Sequence, residues 1–354
     1  MAASKDVAIG AGVSVNRINQ DTLVDLAGNA MKIGSLDAQA ASQANILNVG
    51  AGGAVAAGGA VAVAGNVAVN MIDNDTLAKV SSSDIKAANS INIGADSKEN
   101  LQNYVGTVSI AAGAPVAAGV SVAYNEITGA TRSLVNTASS LQANNDIAVT
   151  ATSDHQLKNV VITAGAAVSG SVAVAAAATV AINNVEGATE AGIYESNVNQ
   201  DKTQTMGKVK VIADDNTKII SGVGTASLAV GADGGAAIGE AVDSNKLSRN
   251  VTAAIAGTAD HTQNNVNADS ITVNAKSKQA VNTYAVGVSI AGGIYGALSY
   301  GGTVSATEVD GTTYAGMRNI NSENNGLAIV SSHESAVDLL GISGSVAAAL
   351  IGGA

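Results

Sequence analysis

Ile271-Thr-Val-Asn-Ala-Lys-Ser277 places apolar side chains at alternate positions and then passes into small and polar residues, the pattern of a half-buried strand running toward a turn. The pattern returns as Met31-Lys-Ile-Gly-Ser-Leu-Asp37, Ile91-Asn-Ile-Gly-Ala-Asp-Ser97, Ile147-Ala-Val-Thr-Ala-Thr-Ser153, Val209-Lys-Val-Ile-Ala-Asp-Asp215 and Leu327-Ala-Ile-Val-Ser-Ser-His333. The six starts lie 60, 56, 62, 62 and 56 residues apart, so the chain is an internal array.

A second marker keeps the same period. It reads Asn16/Ile18/Thr22, Asn70/Ile72/Thr76, Asn125/Ile127/Thr131, Asn183/Val185/Thr189 and Asn245/Leu247/Thr252, with Thr307/Val309/Thr313 as a copy lacking Asn. The Asn245 copy carries one extra residue before its Thr, as a turn insertion would. Asn tolerates left-handed backbone and bonds nearby main chain, so Asn16, Asn70, Asn125, Asn183 and Asn245 are expected as structural turn positions at coil corners. Before each Asn lies a Gly- and Ala-rich run with few charges, such as Val286-Gly-Val-Ser-Ile-Ala-Gly-Gly293.

The composition narrows the architecture. Among 354 residues there are 40 Gly, one Pro and no Phe, Trp or Cys, so the apolar 47% comes almost wholly from small and medium aliphatics. Such side chains fill only a thin interior to normal density. Helices are disfavoured by the period of two, the β-branched residues and the frequent Gly, each costing about 1 kcal/mol in a helix. An all-β, parallel β-solenoid fits best. Dividing each repeat of about 60 residues by three suggests coils of about 20, hence about 18 coils and a rod about 85 Å long at the usual strand spacing. Residues 1–354 read as one continuous array, about five full repeats plus partial ends, excerpted from a longer protein.

The alternation of runs such as Gly50-Ala-Gly-Gly-Ala-Val-Ala-Ala-Gly-Gly59 with segments such as Ser139-Ser-Leu-Gln-Ala-Asn-Asn-Asp-Ile-Ala-Val149 resembles the repeat region of large bacterial surface adhesins. The style is that of filamentous-haemagglutinin-type and fusobacterial leukotoxin-like proteins, exported by two-partner or autotransporter routes. The resemblance implies a right-handed parallel β-helix, secretion to the cell surface, and a role in adhesion or as a stalk. The start of the chain carries no secretory signal pattern, so an export signal is expected elsewhere.

Chemistry-bearing motifs are sparse, and no catalytic, cofactor-binding or metal site is assigned. His155, His261 and His333 fall at different offsets in the repeat and read as solvated loop histidines, while Asp73/Asp75 and Asp214/Asp215 read as turn acids. A net charge of −11 opposes binding to nucleic acid. Leu47–Asn70 and Asn159–Asn184 are uncharged over 24 and 26 residues, but glycine pairs, the period of two and the lack of flanking basic clusters argue for buried strands and no membrane span. Tyr104 and Tyr284 share a repeat position and read as packing residues; Tyr295, Tyr300 and Tyr314 concentrate aromatic surface late in the chain and form the candidate partner surface. The expected function is a non-enzymatic structural or adhesive rod, binding a host-cell or bacterial receptor or a glycan. The alternatives are a self-assembling fibre subunit, joined end to end, and a carbohydrate-active β-helix enzyme.

Overall fold

The computed structural model describes residues 2–58, 61–201, 206–259 and 265–350. Each repeat makes one circuit: a long strand on a back sheet, in the first four a short strand on an end sheet, and a long strand on a front sheet. After β1 (Ala2–Ser4), the first circuit is β2 (Val7–Ala27), β3 (Ala30–Ile33) and β4 (Leu36–Ala57), and the second is β5 (Val61–Ser81), β6 (Asp84–Ala87) and β7 (Ile91–Ala112). The third splits its back strand into β8 (Val116–Thr128) and β9 (Ala130–Asn136), followed by β10 (Ser140–Ala143) and β11 (Ile147–Ser169). The fourth is β12 (Val172–Tyr194), β13 (Asn197–Val198) and β14 (Val209–Gly231). In the fifth, β15 (Gly234–Ala256) leads to β16 (Ser270–Gly293); in the sixth, β17 (Gly296–Asp310) and β18 (Thr313–Arg318) lead to β19 (Gly326–Ala349).

Every pairing is parallel and joins a strand to its counterpart one repeat away, as in Ile91↔Ile147↔Val209↔Ile271 on the front sheet. The all-β parallel solenoid is therefore as expected, but three coils per repeat and a rod of about 85 Å are not. One repeat is one coil, and six coils at the strand spacing climb only about 29 Å, whereas a strand of 23 residues such as β11 runs about 75 Å. The body is a broad slab.

Three further expectations shift with this register. Met31 pairs with Ile85 on the end sheet, so the first-coil counterpart of Ile91 is Leu36. The repeated blocks do not run into turns, because the strand continues past Ser97, Ser153 and Ser277. The Asn245 copy holds no insertion, since Val251 pairs with Thr189 and takes the threonine row while Thr252 faces outward.

A side-chain period of two sends alternate residues inward, and the interior tapers. Beside the end sheet, isoleucines and valines such as Ile91, Ile147 and Val211 pack with Ile85, Leu141 and Ile193. In the middle Leu101, Leu157 and Ile219 meet Ile72, Ile127 and Leu247. At the far edge only alanines meet: Ala111, Ala167 and Ala229 against Ala117, Ala175 and Ala237. There the sheets lie so close that a Cβ on Gly287 would sit 2.4 Å from the Gly302 carbonyl oxygen. A Phe or Trp would force this thin edge open.

Candidate functional site

The polar groups of the sequence gather in two places: inside the slab, as rows crossing the core, and on the outer surface of its wide half.

The asparagines lie in mid-strand and point inward, not at corners. Asn70, Asn125 and Asn183 are fully buried. Each donates its Nδ2 to the Oδ1 of the next coil: Asn16 to Asn70 at 2.8 Å, Asn70 to Asn125 at 2.8 Å, Asn125 to Asn183 at 2.9 Å and Asn183 to Asn245 at 2.8 Å. A second row faces it from the front sheet, with Asn48 donating to Asn103 at 2.6 Å and Asn103 to Asn159 at 2.7 Å. Cross-links join the rows, such as Asn183 Nδ2 to Ser221 Oγ at 3.0 Å and Asn245 Nδ2 to Thr283 Oγ1 at 2.8 Å. A buried amide without partners is costly, so such a ladder fixes the register of both sheets.

A second polar layer holds the ionisable groups. His155 is not a loop residue: it lies in mid-strand on β11, 4% exposed, paired with the 1% exposed Glu99 of β7 in the adjacent coil. The Ser97 hydroxyl and the Asn74 amide also donate to Glu99. Burial pushes the Glu99 carboxyl up, but the hydrogen bond and positive charge of His155, with those two donors, outweigh it and hold Glu99 below its usual value. Asp215 and Arg249, both wholly buried, pair at 3.1 Å between Arg249 Nε and Asp215 Oδ1. Arg249 Nη1 also donates to the carbonyl oxygens of Gly129 at 3.1 Å and Glu186 at 3.2 Å. Asp243, fully buried, accepts from Ser221 Oγ at 2.8 Å and Asn245 Nδ2 at 3.1 Å. Burial nevertheless pushes its carboxyl above the usual range.

These groups are walled off from solvent and engaged with one another, so they can order the interior but cannot meet a substrate from outside. Asp214 and Asp215, adjacent on a strand, point to opposite faces, and Asp73 and Asp75 accept bonds on the outer back sheet from Thr128 Oγ1 at 3.0 Å and the Ala130 amide at 2.8 Å. They are strand acids rather than turn acids. Among the described residues no group of His, Asp and Glu is arranged to hold a metal ion. No helix of the described residues is long and apolar enough to cross a membrane. His333 is exposed on β19 beside Thr313 Oγ1 at 2.9 Å, and His261 lies outside the described residues.

The tyrosines do not form one surface. Tyr295 sits in the turn after β16, and Tyr300 and Tyr314 face outward on the back sheet, 14 positions apart along the β15 ladder and hence separated by about 45 Å. Each of the latter two lays its ring over a glycine two residues along the same face: a Cβ on Gly302 would lie 3.0 Å from the Tyr300 hydroxyl, and one on Gly316 2.1 Å from that of Tyr314. Their rings cover bare backbone. Tyr104 faces outward as well, with the Lys158 ammonium 5.6 Å from its ring centre.

The outer surface divides along the strand direction. The half over the isoleucine core carries charges, including the Lys210–Asp146 and Lys246–Glu186 pairs. The half over the alanine core presents apolar rows on both sheets, among them Val49, Ile162, Val168 and Leu228 on the front and Val67, Val120 and Ile238 on the back. The uncharged stretches Leu47–Asn70 and Asn159–Asn184 contribute to this half, and along their strands the described residues mostly alternate between the interior and the outer face. No sequence reading singled out this surface, although the apolar parity of both phases in those stretches carried the signal.

Comparison of the chain with protein-family profiles, curated proteins and solved structures finds no match. What fold and interior define is a class: a parallel β-solenoid of one-repeat coils with an asparagine-laddered core.

Proposed function

We propose that this chain is a structural and adhesive module of an exported bacterial surface protein, acting through its broad outer faces rather than through a catalytic centre. One observation carries the reading. Glu99, His155, Asp215, Asp243 and Arg249 are all buried and committed to internal ion pairs or hydrogen bonds, whereas the accessible surface is dominated by two broad strand arrays. The resemblance of the glycine- and alanine-rich repeat to adhesin repeat regions supports secretion to the cell surface and attachment to a receptor or glycan. The short climb per residue sets the emphasis: about 29 Å for six coils gives contact area, not reach.

The test is a binding measurement on the purified chain immobilised on beads, against epithelial cells, bacterial cells and a glycan array, with polysaccharide turnover followed in parallel. Saturable attachment without turnover is the expected result. Release of reducing sugar from any polysaccharide, or attachment no stronger than that of an unrelated β-solenoid, would overturn the proposal.

A further inference from the structure

The thin half of the slab carries an exposed apolar surface larger than a lone soluble protein ordinarily shows. On the front sheet it spans six strands and the nine positions from Tyr104 to Ala112 and their counterparts. At strand and residue spacings this is about 29 by 30 Å, or about 850 Å². The largest apolar patch of a typical monomer is about 300–600 Å². The outward residues are substantially exposed, with Val49 at 73%, Ile162 at 55% and Tyr284 at 46%. No Asp, Glu, Lys or Arg lies among the outward residues of this patch.

Its relief is specific. Gly222, Gly224 and Ala226 leave a groove along β14, bordered by Ile162 of β11 on one side and Val286 of β16 on the other. Ridge and groove thus run side by side on one flat face, the arrangement a self-complementary contact needs. A stable interface buries about 800 Å² per partner, which the patch supplies. A lipid surface fits less well, because the flanking turns and edge strands bring backbone polar groups to the same depth, where hydrocarbon would leave them unpaired.

We infer that the outer face of the front sheet, over its thin half, packs against the same face of a second copy of this chain, the Ile162 and Val286 ridges of one seating beside the β14 groove of the other. This lateral pairing does not depend on the adhesive role.

The experiment is sedimentation velocity of the full chain up to about 100 µM, a range that exposes associations of micromolar strength. A concentration-dependent dimer is expected. Ile162→Lys and Val286→Lys, both outward and therefore compatible with the fold, should each raise the dissociation constant at least about tenfold while leaving the circular dichroism unchanged. Ile162→Thr with Val286→Thr, a pair of strand-forming substitutions, should act in the same direction if either lysine disturbs folding. Val67→Lys and Val120→Lys, on the outer back sheet, should leave the dimer intact. A monomer at about 100 µM, or a dimer lost through the back-sheet lysines but not the front-sheet ones, would overturn the inference. Co-sedimentation with phosphatidylcholine vesicles that is abolished by Ile162→Lys would overturn it too, by assigning the face to lipid.

Discussion

Arg249 reaches Asp215 across the core, Nε to Oδ1 at 3.1 Å, through space that Gly187 leaves open. Gly187 precedes Arg249 in its row, and a Cβ there would lie 2.3 Å from Arg249 Nη1 and 1.9 Å from the Gly129 carbonyl oxygen. With φ at +145° it also holds a backbone conformation that a side chain resists. The same row carries Gly129 and Gly311, and the row of Asp215 carries Ser153 and Ser277. Asp215→Ser alone strands a buried guanidinium and should cost about 3–5 kcal/mol, whereas Asp215→Ser with Arg249→Gly restores the pattern of the neighbouring coils and should cost less than that single change. Urea unfolding of the two variants beside the native chain measures the difference.

Glu99 and His155 make a second pair whose contribution depends on pH with a definite sign. Glu99 titrates below its usual value near 4.5 in the folded chain, so its stabilising contribution is complete above that value and is lost as pH falls through the lower, folded one. The urea midpoint should therefore drop in acid. His155→Thr, copying Thr217 of the next coil, should cost about 3–5 kcal/mol by leaving a buried carboxylate unpaired, and should move the loss of stability to higher pH. Adding Glu99→Ala, copying Ala44, should recover part of the loss.

Asp243 should behave oppositely. Burial raises its folded pKa above the unfolded one, so the native chain is best placed below the unfolded value and loses stability as pH rises through the folded value. Its row holds Ala181 in the preceding coil. Asp243→Ala should thus gain on the native chain as pH rises from below the usual carboxylate range to neutral, a difference read from urea midpoints at the two pH values. An unchanged difference would mean that the buried carboxylate carries no net electrostatic cost.

The strand class and the thin interior were legible because a period of two maps directly onto two faces, and because a chain without Phe or Trp can fill only a narrow space. The size of the coil was not. Runs such as Gly50-Ala-Gly-Gly53 lie within β4, where a Cβ on Gly52 would meet the Gly65 carbonyl oxygen at 2.8 Å. Glycine here signals approach of the opposite sheet, and periodicity says nothing of how far a strand runs. The asparagines and His155 were misplaced for a readable reason: Asn70 shares the parity of Ile72, and His155 that of Leu157, so each belongs to the apolar face. Asn48, Asn103 and Asn159 carried the same signal, each two residues past a buried Ile or Leu.

The asparagine row should tolerate small hydroxyls better than truncation. Asn125 accepts from Asn70 and donates to Asn183 in a fully buried site, so Asn125→Ala leaves one donor and one acceptor unpaired. Each unpaired group costs about 1–3 kcal/mol. Asn125→Thr, copying Thr307, keeps a donor and an acceptor and should cost about half as much by thermal unfolding.

The length of the coil itself is open to a deletion test. Removing residues 209–270 takes out β14 and β15 together and joins Lys208 to Ile271, so β11 would pair directly with β16. The rows survive the splice: Val149 meets Val273, Ser153 meets Ser277, Asn159 meets Thr283, and behind them Asn183 meets Thr307 and Gly187 meets Gly311. Asp215, Asp243 and Arg249 leave together, so no buried charge loses its partner. This variant should stay soluble, keep its β-sheet circular dichroism and unfold cooperatively. Removing only residues 209–228, about one coil of a three-coil repeat, shifts the remaining front strand against both neighbours, and it should aggregate. Should the shorter deletion fold and the longer one fail, one circuit per repeat is the wrong description of this solenoid.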